Sequence, residues 1–435
     1  MIERLKTLIL DFQESAIPTG VSRHLAVHSI PGKATVCIGV RRCGKSTYQF
    51  QLIQSLLDGG VLIENILYIN FFDDRLHGLR NKDLWMIVEA YYSLYPDKKN
   101  VEKIYCFFDE IQMLPHWEPF VDRLMRTERC DVYITGSSAM MLSKEIATQM
   151  RGRALSWEIF PFSFREFLDY KGVERSERLS TKNRLLVQKV FEEYWQTGGF
   201  PEVAGLDRPL RIKIHQEYFQ TLLFRDLIER HDISHPKALT DLAYRLIDSV
   251  ASMHTINRLA GYLKSLGHKV SKSLISKYIE WFEDAFFLFT VRLFDASLTR
   301  SNANPKKIYC VDHSFVTSIS SGILINSGHL LENLVFLALR GSFEKIFYYK
   351  TQRGGEVDFI VYDQDRSRLL IQVSETLVDP KTRKREITAL KDAMSELDMD
   401  TGIIVTRSED EQINIKDARI HVVPIWKFLY HPPDD

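Results

Sequence analysis

The stretch Gly39-Val40-Arg41-Arg42-Cys43-Gly44-Lys45-Ser46-Thr47 fits G-x-x-x-x-G-K-[ST] with every required residue in place. The spacing is that of a loop built to handle a triphosphate. Glycines at both ends let the chain curl so that successive backbone N–H groups point inward at a β-phosphate. The lysine ammonium bridges β and γ oxygens, and the next hydroxyl completes a Mg²⁺ shell. The flanks agree: Ala34-Thr35-Val36-Cys37-Ile38 is a β-branched run of strand length, and Ser46 to Leu57 places Phe50, Ile53 and Leu56 or Leu57 at helical spacing. The motif needs that helix, because its N-terminus adds partial positive charge. Gly39, Cys43, Gly44, Lys45, Ser46 and Thr47 are the expected ATP-binding residues, with Ser46 also a ligand of Mg²⁺.

A second pattern supplies the acids. Lys103-Ile104-Tyr105-Cys106-Phe107-Phe108-Asp109-Glu110 is an apolar run closed by two carboxylates, as in a strand buried on both faces of a parallel sheet. Ligands bind outside the carboxyl ends of such strands. Asp109 is expected to hold Mg²⁺ through water, and Glu110 to orient and polarise the attacking water. The glutamate separates a hydrolase from a mere nucleotide binder. Ile66 to Phe71 reads as a further buried strand, and Asp73-Asp74 beyond it as a loop cap. Asp131 to Ser138 is another strand ending in small polar residues. Ser137, with Ser138 as the alternative, is the hydroxyl expected to sense a γ-phosphate.

Composition narrows the setting. A chain of 435 residues suggests about three domains. Lys+Arg and Asp+Glu both number 57, which argues against bulk attraction to nucleic acid and leaves room for a local patch. The five cysteines are scattered without a C-x-x-C pair, which suits free thiols and a cytoplasmic location. No window reaches about 18 uncharged apolar residues, so no membrane span is expected. The histidines show no ligand spacing, so zinc is not expected.

Together with Phe162-Ser163-Phe164-Arg165-Glu166-Phe167-Leu168, Gly198-Gly199-Phe200-Pro201-Glu202, Asn304-Pro305-Lys306-Lys307-Ile308-Tyr309 and Glu356-Val357-Asp358-Phe359, these motifs resemble the prokaryotic AAA-superfamily ATPases that carry a C-terminal domain of unknown function 4143. The resemblance covers nearly the whole chain. It implies an ATPase, without naming a substrate. It also implies an arginine in a Gly-Arg pair that reaches a neighbouring subunit's site, where it stabilises charge on the transferring phosphate. In Met150-Arg151-Gly152-Arg153 the better candidate is Arg153, and Arg151 the second. Local pairing with acids is the competing reading for both.

The expected fold class is α/β. A P-loop AAA+-like ATPase core (1–162) leads into a helical lid (163–230), a winged helix (231–300) and a C-terminal PD-(D/E)XK-like α/β domain (301–435). In the lid, Arg225 is expected on a solvated helix face or in a salt bridge. In the winged helix, Ser271 is the expected N-cap of a second helix that offers Lys272, Ser273, Ser276 and Lys277 to phosphates. The last domain resembles the PD-(D/E)XK nucleases, with Asp358 and Glu332 as its acids. Gln372 and Ser374 stand where that chemistry needs E-x-K, and strand alternation points Glu375 to the opposite face. A nuclease-like shape without nuclease chemistry is expected.

Two functions remain from these residues. One is Mg²⁺-dependent ATP hydrolysis that drives a conformational change or remodels a macromolecular partner. The other is a slow, nucleotide-gated DNA- or protein-binding switch. A homo-oligomer, DNA and a protein partner all stay open.

Overall fold

The computed structural model describes residues 1–136, 150, 152–295, 297–322, 326–362, 368–415 and 418–432. Ser137, Ser138 and Arg151 lie outside the described residues. The chain divides into two compact units, Met1–Phe160 and Pro161–Asp435.

In the first unit the apolar runs become strands and the amphipathic stretches between them become helices. Helix α1 (Ile2–Glu14) precedes β1 (Ala34–Ile38) and α2 (Lys45–Asp58). Strand β2 (Ile66–Asn70), α3 (Trp85–Leu94) and β3 (Ile104–Asp109) follow. Then come α4 (Glu118–Thr127), β4 (Cys130–Gly136) and β5 (Ala154–Glu158). The strand order is β2-β3-β4-β1-β5, and every pairing is parallel. All five β1 residues are buried, as continuous apolar strands in covered parallel sheets are. Ile53 from α2 packs with Ile66, Phe107 and Tyr133 from three strands, and Phe12, Phe50 and Tyr68 close over them. Each such apolar side chain contributes roughly 1.5–3 kcal/mol on burial. The polar loop after α1 is strapped to α2: Gln51 Nε2 donates to the carbonyls of Thr19 and Val21, both at 2.6 Å, and Tyr48 Oη to that of Leu25 at 2.6 Å.

The second unit opens with helices α5 (Phe164–Tyr170), α6 (Thr181–Thr197) and α7 (Arg208–Thr221). A reciprocal capping box of Ser163 and Glu166 starts α5. Gly198 ends α6, and α7 runs on into a π-helical turn, Leu222–Glu229. Next are α8 (Pro236–Asp248), β6 (Met253–His254), α9 (Ile256–Ser265) and α10 (Lys272–Asp284). Ser271 caps α10 by accepting from the Leu274 N–H at 3.1 Å. Strand β7 (Leu288–Leu293), α11 (Leu298–Ala303), β8 (Lys306–Cys310) and α12 (His313–Ile319) lead to α13 (Ser327–Ser342).

Strands β9 (Ile346–Lys350), β10 (Glu356–Tyr362) and β11 (Arg368–Val373) precede α14 (Pro380–Leu397). The remaining elements are β12 (Thr401–Thr406), β13 (Glu411–Ile415), β14 (Ala418–Pro424) and α15 (Ile425–Tyr430). Among the described residues one sheet runs in the order β13-β14-β12-β11-β10-β9-β7-β8-β6. Its members β7 and β8 are antiparallel neighbours, and the expected division at residue 300 falls between them. Leu390, Ala393 and Met394 of α14 pack on the part of this sheet formed by Val357, Ile360, Leu370, Ile404 and Ile420.

Candidate functional site

The loop between β1 and α2 has the backbone that its glycines permit. Gly39 has φ +155° and a Cβ there would be driven into the Ile159 carbonyl oxygen, so no side chain fits. Gly44 is left-handed (φ 99°) at the N-cap of α2, and Arg42 is also left-handed. The loop therefore delivers the first N–H groups of α2 to one point, the arrangement that attracts anions. Lys45 is buried, and its Nζ donates to the carbonyls of Gly39 at 3.0 Å and Val40 at 2.8 Å. The ammonium is thus held at the mouth of its own loop by two neutral acceptors, bonds that an anionic phosphate oxygen can displace.

Strand register assembles the other groups. Cys37 pairs with Thr135 and Trp157, and Asn70 pairs with Asp109, so their side chains share positions across the carboxyl edge of the sheet. Asp109 is buried and its carboxylate gathers hydroxyls: Thr135 Oγ1 donates to Oδ1, Tyr68 Oη donates to Oδ2 at 3.1 Å, and Ser46 adds a third. Burial pushes the Asp109 pKa up, while the Thr135, Ser46 and Tyr68 hydrogen bonds pull against it. Burial also raises the Cys37 thiol to about 12, so it stays neutral beside the loop. A buried carboxylate beside a serine hydroxyl is an all-oxygen donor set, which fits Mg²⁺.

Glu110 follows in a left-handed conformation (φ 54°), which turns the chain sharply out of β3. Its N–H donates to Thr135 Oγ1 at 3.3 Å, and its carboxylate accepts from Gln112 Nε2. Thr135 therefore bridges the two acids. The sequence points instead to Ser137, two residues later and outside the described residues. Asp73 does what was expected of it, accepting from the Arg75 N–H at 2.9 Å as a cap. Arg153 stands just before β5, whose first residue pairs with Ala34 at the start of β1. That is the amino edge of the sheet, opposite the loop. Its guanidinium pairs with Asp122 at 2.6 Å, so within this chain Arg153 does not join the site.

In the second unit Arg225 pairs with Glu229 at 3.3 Å. Gln372 Oε1 accepts from the Asp358 N–H at 3.3 Å and its Nε2 donates to Glu386 at 2.7 Å. Ser374 Oγ donates to the Thr376 carbonyl at 3.0 Å. Neither supplies a charge to Asp358. Among the described residues no group of three or more His, Cys, Asp or Glu side chains is disposed to hold a metal ion.

Comparison with known proteins supplies the family. A model described as an AAA domain matches residues 31–168, and two domains of unknown function, DUF8612 and DUF4143, match 188–323 and 327–428. An uncharacterized protein of Methanocaldococcus jannaschii is 35% identical over 433 residues, covering 97% of this chain and 94% of that protein. The chain belongs to this family of AAA-domain proteins with a C-terminal DUF4143. A second family relative, an uncharacterized protein of Haemophilus influenzae, is 29% identical over 396 residues and covers 90% and 93% of the two chains. Among solved structures, the Aeropyrum pernix ORC2 protein in its ADP form aligns at TM-score 0.31 and 12% identity, over 77% of this chain and 92% of that one. The Aeropyrum pernix ORC1 protein in complex with DNA aligns at 0.28 and 11%, over 73% and 92%. No helix among the described residues is long and apolar enough to cross a membrane.

Proposed function

We propose that the protein binds ATP with Mg²⁺ and hydrolyses its terminal phosphoanhydride bond, driving a conformational change or the remodelling of a macromolecular partner. One observation carries this reading. Lys45, Ser46, Asp109, Glu110 and Thr135, drawn from three separate segments, belong to one carboxyl edge of one parallel sheet. Bound Mg²⁺ would supply charge neutralisation of the β and γ oxygens, with Ser46 and Asp109 to hold it. Lys45 exchanges its two carbonyl acceptors for phosphate oxygens. Glu110 orients the attacking water and takes its proton, while Thr135 ties the backbone of Glu110 to the metal-holding carboxylate.

The test is a pair of variants. Lys45→Ala is expected to lose ATP binding, and Glu110→Gln to bind ATP yet turn over roughly 10²–10⁴-fold more slowly. Normal turnover by Lys45→Ala would refute the site, and unchanged turnover by Glu110→Gln would refute the base.

The slower, switch-like reading has its own support in α10, where Lys272, Ser273, Ser276 and Lys277 are all exposed on the helix that Ser271 caps. These offer phosphate contacts and no arginine or asparagine for reading bases. Running the same ATPase assay with duplex DNA distinguishes the two. Retention of DNA that depends on a slowly hydrolysed ATP analogue, with unstimulated turnover, favours the switch.

A further inference from the structure

A lysine sits where three carboxylates converge in the second unit. Lys307, on β8, is 3% exposed in its side chain. Its Nζ lies 2.6 Å from Asp358 Oδ1, 2.9 Å from Glu332 Oε1 and 2.9 Å from Glu356 Oε1. The ammonium donates hydrogen bonds to Asp358 Oδ1 and Glu332 Oε1, and the more exposed Glu356 completes the ring of charge as an ion pair. The acids come from two elements: Glu356 and Asp358 share a face of β10, and Glu332 projects from α13. Two of the acids have further partners. Asp358 Oδ2 accepts from the Val373 N–H at 2.8 Å, and Glu332 Oε1 also accepts from Tyr309 Oη at 2.7 Å. Phe336 stacks on Tyr309 with ring centroids 4.4 Å apart, which keeps that side dry.

We propose that this cage is a cation site whose resident ion is the Lys307 ammonium, so that it shuts out a divalent metal in the native protein and admits Mg²⁺ or Mn²⁺ once Lys307 is shortened. The acids alone would not define a site; the cation already seated among them does. A buried carboxylate cluster is stable only when a positive charge neutralises it. Burial alone would pull the Lys307 pKa down, but Asp358, Glu332, Tyr309 and Glu356 hold it well above the usual lysine value. Burial and the Asp358 charge push Glu332 up, as expected where three acids share one cation. A second positive ion meets a filled centre and a repelling ammonium. The three acids are thus already committed to an internal ion, which bars a metal independently of Gln372 and Ser374. The inference is independent of the nucleotide site.

The experiment titrates Mn²⁺ into the full-length chain without nucleotide and counts bound ions. The variants are Lys307→Ala, Asp358→Asn and the double variant. The wild type is expected to match Asp358→Asn, Lys307→Ala to hold about one more Mn²⁺ per chain, and the double variant to lose it again. Excess Mn²⁺ is also expected to raise the melting temperature of Lys307→Ala and leave that of the wild type unchanged. Wild-type binding that Asp358→Asn abolishes would overturn the proposal, as would a folded Lys307→Ala that gains no ion. A Lys307→Ala chain that stays unfolded even in excess Mn²⁺ would overturn it too, because the metal should then replace the ammonium.

Discussion

Thr135 hydroxyl chemistry sets the residue scale. Its oxygen donates to Asp109 and accepts from the Glu110 N–H, so one side chain positions both acids. Burial raises the Asp109 carboxyl above its ordinary 3.8. A carboxyl raised in the fold binds its proton more readily there than in the unfolded chain, so ionising it costs stability as pH climbs through the raised value. Metal affinity runs the other way, because the ionised form is the ligand, and is lost as pH falls through that same value. Thr135→Val removes one of the hydrogen bonds that lower the Asp109 pKa. The variant is expected to weaken Mg²⁺ by roughly 10–100-fold and to move the acid limb of the rate to higher pH. Rate–pH profiles at several Mg²⁺ concentrations read this directly, and an unmoved acid limb would count against the bridge. The loop residues were legible because nine consecutive positions carry their chemistry. Thr135 was not, since a strand's register, and no local pattern, puts its hydroxyl beside Asp109 (Phe108 pairs with Ile134 one step earlier).

At the scale of elements, the Gly198-Gly199 pair shows how a helix break becomes a joint. Along the chain the pair is legible only as part of the motif Gly198-Gly199-Phe200-Pro201-Glu202. In the structure Asp312 caps α12 by accepting from Ser314 N–H at 2.8 Å and Phe315 N–H at 3.0 Å, and its other oxygen accepts from the Gly199 N–H at 2.7 Å. Gly198 has φ 77° and ψ −168°, a region that essentially only glycine occupies, and a Cβ there would run into Ser314 and Asp312. Gly198→Ala is expected to cost at least about 1–3 kcal/mol from the backbone alone. A urea titration checks it, and a midpoint equal to that of the wild type would contradict the packing. Most helices of this unit were visible through periodicity and caps such as Ser271. Strands β13 and β14 carry little signal along the chain, because their short alternation is mostly polar: the buried positions are Ile420, Val422 and Pro424, all on β14.

For the whole molecule the decisive fact is that there are two compact units, each with its own hydrophobic core. Independent cores favour separate unfolding steps over a single two-state transition. The proposed nucleotide-site residues all lie in Met1–Phe160, so a slowly hydrolysed ATP analogue with Mg²⁺ is expected to raise only that unit's transition, by about 2.7 kcal/mol at a hundred times Kd. Scanning calorimetry with and without the analogue checks this. A shift confined to the other transition would place the nucleotide elsewhere. The one sheet that joins β6–β8 to β9–β14 implies the opposite within Pro161–Asp435, where a single cooperative step is expected.

The sequence by itself determined the nucleotide loop, the paired acids at the end of β3 and the helix caps, because each is written in consecutive residues and obeys local sterics. Only the tertiary structure decided that Thr135 bridges those acids and that Lys307 fills a cage formed with residues 25 and 51 positions away. Such partners meet because strands pair in one register and a buried charge must find its opposite. That requirement acts through space and leaves no pattern along the chain.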